Sequence, residues 1–283
     1  MNIKKSKDGT VKFDFDQGYA GVLIPLGEKK TLCLSSQIGC PMGCKFCFSG
    51  KRKFEKNLSF EELKEQLTVA IDHLEIEDLN CRENKKGKGF LADKISAIVF
   101  MGMGEPLLNL DNVLEFCDYV NEFYGYAYSR ILISTCGVIP KMNEVIDNVN
   151  KIQLAVSLHS LDQEVRDRIM PGVSQYKISD LIDVCKKYNE NYRQKIMIEY
   201  LMIGGLTDRD EDLSRLIGLG LEKRTNFNLI PLNSSFELDG EKYESSSKER
   251  MKYFRDELMK VGFKCFTRTS MGEDIEAACG MLR

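Results

Sequence analysis

The chain has 283 residues, 43% of them hydrophobic and 29% charged, with a formal net charge of −3. That length can bury a large core, and the slightly acidic balance excludes a broadly basic nucleic-acid module while leaving a local basic patch open. No run approaches the roughly 18 uninterrupted apolar residues of a membrane helix, and the charged start has no apolar stretch behind it, so neither a membrane partner nor a secretory leader is expected and the protein is expected to be cytoplasmic.

Apolar, β-branched runs alternate with stretches of helical period. Residues 31–38 are predicted as a strand. Residues 60–79 follow as a helix opened by Ser59 with Glu62 three positions on, a capping-box pattern. Strands are then expected over 95–101, 131–134, 152–158, 195–202, 227–232 and 264–268. Between them lie helices over 110–123, 141–148 (entered after Pro140), 164–169, 179–188, 210–220 and 248–261. Residues 83–89 and 237–247 are polar and are expected as loops; His73 is expected on a helix surface. The alternation predicts an α/β fold, a partial (β/α)6 barrel over residues 31–283, with residues 1–30 as a short N-terminal β extension and a C-terminal strand and tail. In such barrels chemistry gathers at the C-terminal ends of the strands. Cys40–Cys47, Gly102–Pro106, Ser134–Gly137, His159 and Asn233 all follow predicted strands, so all are expected on one rim.

Ten cysteines in a chain without a leader are expected to be thiols, ligands or catalysts, not a disulfide framework. Cys40, Cys44 and Cys47 fall within eight residues as CxxxCxxC. A closed zinc site needs four ligands, whereas a three-thiolate iron–sulfur site leaves one iron open to a further ligand. With Phe46 ahead of the last cysteine, this spacing resembles the signature of the radical S-adenosylmethionine (SAM) superfamily. The resemblance implies a [4Fe-4S] cluster on Cys40, Cys44 and Cys47, SAM chelated at the open iron, and release of a 5′-deoxyadenosyl radical on reduction.

Further elements support it. Met101-Gly102-Met103-Gly104-Glu105-Pro106 resembles the element that holds the SAM amino group, with Gly104, Glu105 and Pro106 as contacts. Ser134, Ser157, Leu158, His159 and Asn233 are further expected SAM contacts at strand ends. Cys33, seven residues before the triad, and Asp274-Ile275-Glu276-Ala277-Ala278-Cys279-Gly280 near the end are together similar to the RlmN/Cfr family of RNA adenine methyltransferases. The similarity runs in order from about residue 20 to the end.

That family's chemistry implies that Cys279 accepts a methyl group from one SAM. The methyl becomes a carbon radical and adds to C2 or C8 of an adenine, and Cys33 then attacks the Cys279 sulfur to release product as a disulfide forms. RNA (rRNA or tRNA) and an external electron donor such as flavodoxin or ferredoxin are the implied partners, and a monomer is expected. The chain differs from the family in two respects. About thirty residues precede the barrel, where the family carries an accessory domain. Ala20 or Gly21 stands where the family has its proton-accepting Glu, leaving Asp14, Asp16 or a water for that task. Lys51-Arg52-Lys53-Phe54, Arg224, Arg268 and Arg283 are candidate RNA contacts. Two alternatives stay open: the same chemistry on a small heteroaromatic or peptide, and a non-catalytic metal- or cluster-binding regulator.

Overall fold

The computed structural model describes residues 1–77, 89–148, 152–192, 196–223 and 225–282; Cys81, Arg224, Arg283 and most of the predicted 83–89 loop lie outside them. The chain opens as an antiparallel meander of β1 (Asn2–Lys5), β2 (Val11–Asp14), β3 (Ala20–Leu26) and β4 (Lys29–Cys33). Then come β5 (Gln37–Ile38), α1 (Phe48–Lys51), β6 (Lys56–Asn57), α2 (Phe60–Glu77), α3 (Phe90–Lys94) and β7 (Ile95–Phe100). The middle holds α4 (Leu110–Tyr124), β8 (Ile131–Thr135), α5 (Ile139–Asn148), β9 (Gln153–Ser157), α6 (Gln163–Ile169) and α7 (Ile178–Asn191). The last part has β10 (Met197–Met202), α8 (Asp210–Ile217), β11 (Asn226–Pro231), β12 (Phe236–Leu238), β13 (Glu241–Tyr243), α9 (Lys248–Lys260) and β14 (Lys264–Thr267).

Strands β4, β7, β8, β9, β10, β11 and β14 pair in parallel in that order, and β3, β2 and β1 continue the same ten-stranded sheet antiparallel beyond β4. This is the expected partial (β/α) barrel with a β extension at one edge and an added strand at the other. The parallel strands read as near-continuous apolar runs because helices cover one face and packed side chains the other. In β10 the last five of six residues are buried. Helix α4 buries Leu110, Val113, Phe116, Cys117 and Val120, spaced three or four apart, against that sheet. It ends at Gly125, whose φ of 64° a residue with a side chain adopts only at a cost. The capping box forms as expected: Ser59 N donates to Glu62 Oε2 at 2.9 Å and Glu62 N to Ser59 Oγ at 3.4 Å.

Several expectations are corrected. The predicted 31–38 strand is broken, because Ser35 and Ser36 turn their amides and hydroxyls to Gln66 and to the 101–103 segment, and Gln37–Ile38 pairs instead with β6. Residues 237–247 are not all loop: β12 and β13 form a hairpin around Asp239 (φ 53°) and Gly240 (φ 84°). Asp-Gly is a strong two-residue hairpin signal, overlooked among the flanking polar residues. His73 is half-buried, its ring edge-on to Phe13 at 5.4 Å.

Candidate active site

The loop after β4 carries the three cysteines and is fastened at both sides. Lys45 N donates to Ile169 O at 2.9 Å and Gly172 N to Met42 O at 2.9 Å, tying the loop to the end of α6. Cys40, Cys44 and Cys47 line one cavity with the strand-end residues of β7, β8, β9 and β11. Burial, first, and interactions with neighbouring thiols push Cys47 up to about 11, and burial drives Cys40 higher still. As thiolates, therefore, these groups need a cationic centre. Among the described residues no three His, Cys, Asp or Glu side chains converge as a single metal ion requires. An all-thiol set of three, spread around a cavity, suits a multi-iron cluster better than a closed zinc cage. A further thiol, Cys136, lies with its Sγ 4.0 Å from that of Cys44.

Beside the triad runs the glycine-rich turn after β7. A Cβ on Gly104, where φ is 101°, would stand 2.5 Å from the Gln37 side chain, so the turn admits only glycine. Glu105 is 1% exposed. Its Oε1 accepts from Leu107 N at 3.1 Å and its Oε2 from Cys136 N at 2.7 Å, so it braces two strand-end loops. Only lone pairs beyond those two bonds are left for a ligand ammonium. Pro106 and Leu158 sit behind the cavity wall, not on it; Leu158 is fully buried and its carbonyl accepts from Arg166 Nε at 3.1 Å. The buried Arg166 also donates to Cys136 O at 2.7 Å and Ser157 O at 3.4 Å, joining the ends of β8 and β9. Sequence reasoning missed it, because an arginine inside a helix reads as a solvated charge.

His159 lines the cavity with φ 58°, a left-handed conformation that costs a non-glycine residue about 1 kcal/mol or more. The position is held from three sides. Nδ1 accepts from Leu201 N at 3.2 Å, the backbone N–H reaches Glu199 O at 3.4 Å, and the ring stands edge-on to Phe46 at 5.1 Å. Burial, and then Arg166, hold its pKa down to about 3, so the ring is neutral and Nε2 carries the proton.

A polar cluster that sequence reasoning did not assemble lies deeper. Glu199 on β10, 3% exposed, accepts from Ser134 Oγ at 2.7 Å and Asn228 Nδ2 at 3.3 Å, and stands 3.8 Å from Arg268 Nη1. Arg268 thus lines the cavity, its side chain 23% exposed. Interaction with Cys279, chiefly, raises the guanidinium pKa, and Glu199 and Cys33 add to it. Cys33, at the end of β4, is pushed up to about 12 by burial and then by Cys279. Cys279 is likewise raised by burial, against the pull of Arg268. The two cysteines therefore share one pocket around one cation.

The tail bearing Cys279 is pinned. Asn233 Nδ2 donates to Cys279 O at 2.8 Å, Phe48 N to Gly280 O at 2.8 Å and Ser49 Oγ to Leu282 O at 2.7 Å. Ala277, Ala278 and Leu282 are buried. At its start, Gly272 N donates to Asp8 Oδ2 at 2.7 Å, and Ser6 and Lys7 bond Asp274. The β1–β2 turn thus clamps the tail.

The radical SAM superfamily model matches residues 83–217. Over 99% of its length the chain is 38% identical to the dual-specificity RNA methyltransferase RlmN of Desulfotalea psychrophila, spanning 76% of that protein. It is 37% identical to RlmN of Geobacter sulfurreducens, again over 99%, spanning 73% of it. This chain belongs to the RlmN family. A crystal structure of a radical SAM methyltransferase from Sphaerobacter thermophilus matches it with a TM-score of 0.87 at 30% identity, covering 100% of this chain and 80% of that one. As an RlmN-family member the chain is a SAM-dependent radical C-methyltransferase that uses a [4Fe-4S] cluster, which sets aside the regulatory alternative. Among the described residues no helix is long and apolar enough to cross a membrane.

Proposed function

We propose that this protein methylates an sp2 carbon, C2 or C8, of an adenine in RNA, through a methyl group carried on Cys279. One observation carries the reading: Cys279, from the far end of the chain, lines a single cavity with Cys33 and the three-cysteine loop. The RlmN relatives are named as RNA methyltransferases, which supports RNA as the acceptor. Cys40, Cys44 and Cys47 would hold the cluster. The Gly104–Glu105 turn, Phe46, Ser134, Ser157, His159 and Asn233 would bound the SAM site, with Pro106 and Leu158 shaping it from behind. When bound, the cluster and SAM supply a carbon-centred radical on reduction, with electrons from an external donor such as flavodoxin or ferredoxin.

The chain's own residues do the rest. Arg268 stabilises the thiolate form of Cys279, the form that displaces a methyl group from SAM. Asn233 and the β1–β2 turn hold the tail so that this sulfur stays in the cavity. Neutral His159 offers an Nε2 proton as a hydrogen-bond donor without adding charge. Cys33 lies close enough to respond electrostatically to Cys279 and serves to resolve a carbon–sulfur bond on it.

The test is anaerobic incubation of the reconstituted protein with methyl-labelled SAM and RNA from a strain lacking its gene. Label is expected on adenine carbon. Cys279→Ala is expected to abolish transfer while SAM cleavage continues, and Cys33→Ala to retain a covalent protein–RNA adduct. Label transfer at the wild-type rate in Cys279→Ala refutes the proposal.

A further inference from the structure

Methylating an sp2 carbon replaces a hydrogen by a methyl group, so the reaction proposed above must pass that hydrogen, as a proton, to a base inside the cavity. The inference rests on that reading. The strand position where the family resemblance calls for a glutamate is Ala20 here, 1% exposed, its carbonyl already accepting from Ser35 Oγ at 2.5 Å; Gly21 beside it has no side chain. Asp14 is paired with Lys4 and Lys12, and Asp16, with its side chain 86% exposed, is paired with the chain's N-terminus. Neither lines the cavity, which corrects both as candidates.

Among the described residues two carboxylates line it, Glu105 and Glu199. Glu105 has each oxygen on a backbone amide and braces the loops around the triad. His159 has its Nδ1 lone pair on Leu201 N and a site that disfavours a second proton. Glu199 remains. It reaches the cavity from the middle of β10 and is held by side chains alone, Ser134, Asn228 and Arg268. Its negative charge acts on both Cys33 and Cys279, so it belongs to the same pocket as the sulfur that would carry the new carbon.

We propose that Glu199 is the base that takes the proton from the methylated carbon. The step is a proton transfer alone. Once the radical adduct on Cys279 has given up its odd electron, which the oxidised iron–sulfur cluster would accept, the ring C–H bond breaks, the proton goes to a Glu199 oxygen, and the electron pair stays in the ring, which recovers its aromaticity. The proton transfer itself needs no further oxidant or reductant. Ser134 and Asn228 keep the carboxylate oriented, and Arg268 sets a positive charge 3.8 Å from it.

Glu199→Gln keeps the size and one oxygen for Ser134 but removes the basicity. Reconstituted with cluster and given methyl-labelled SAM and acceptor RNA, this variant is expected to methylate Cys279, read as a mass shift of the tail peptide, and to cleave SAM as the wild type does. Release of methylated adenine is expected to fall about a hundredfold or more, the worth of a general base. The label should instead persist as a protein–RNA adduct, and Glu199→Asp should recover part of the release. Release from Glu199→Gln at the wild-type rate overturns the assignment. So does loss of Cys279 methylation in a folded, iron-loaded Glu199→Gln protein, since Glu199 would then serve the thiol and not the ring. Wild-type protein that labels neither Cys279 nor RNA defeats the function proposed above instead.

Discussion

Replacing Asn233 by alanine isolates the fastening of the tail. The amide Nδ2 donates to Cys279 O at 2.8 Å, and Ser270 Oγ donates to Asn233 Oδ1. Alanine leaves a part-buried carbonyl without its donor, a loss of about 1–3 kcal/mol. The neighbouring bonds to Gly280 and Leu282 remain, so the loss falls on local opening of the last residues more than on global unfolding. At about 1.4 kcal/mol per factor of ten, the open fraction should rise between about fivefold and a hundredfold. Alkylation of Cys279 by iodoacetamide in cluster-free protein, followed by peptide mass spectrometry, reads that fraction when opening is fast relative to labelling. Cys117, fully buried on the inner face of α4, is the internal control. Cys279 labelling should accelerate while Cys117 labelling stays constant. Unchanged Cys279 labelling, or equal acceleration at both thiols, would show that Asn233 does not hold the tail.

Three further outcomes are expected. Cys40→Ala, Cys44→Ala or Cys47→Ala should reduce reconstituted iron to near zero and remove the visible charge-transfer absorption, whereas Cys33→Ala and Cys279→Ala should keep both; iron analysis and absorbance decide. Burial opposes it, but hydrogen bonds from Gly272 N and Thr10 hold Asp8 down to about 2. Its contribution to stability is therefore full above about pH 4 and fades as pH falls toward 2, and Asp8→Asn should remove that part of the acid dependence in paired melts. His159, held near 3, should show no imidazole titration between pH 5 and 8 by NMR; with its folded pKa depressed, its contribution to stability is full above about pH 6.5 and is lost on acidification toward 3. A midpoint near 6.5 would contradict its buried, neutral state.

Much of the fold could be read from the chain because its signals are local. Alternating strand and helix periods gave the parallel sheet, and the Ser59–Glu62 box gave the start of a helix. The CxxxCxxC spacing is equally local. Three thiols within eight residues meet whatever the rest of the chain does. Harder to see were the partners of Arg166, Glu199 and Arg268: the apolar run 196–202 signals that Glu199 is buried, but nothing local says what meets its carboxylate. An ionised side chain is buried only when distant partners satisfy it, and those partners come from other strands: Ser134 and Asn228 for Glu199, Cys136 O and Ser157 O for Arg166.

By itself, then, the sequence determined the barrel, the rim on which its unusual residues fall and the thiol triad, since backbone periodicity and short-range spacing depend on neighbours alone. Only the tertiary structure decided that the tail is locked by Asp8, Ser49 and Asn233, and that Cys33, Cys279, Arg268 and Glu199 form one pocket. Those contacts close loops of up to some 260 residues, and their existence depends on packing every strand between them.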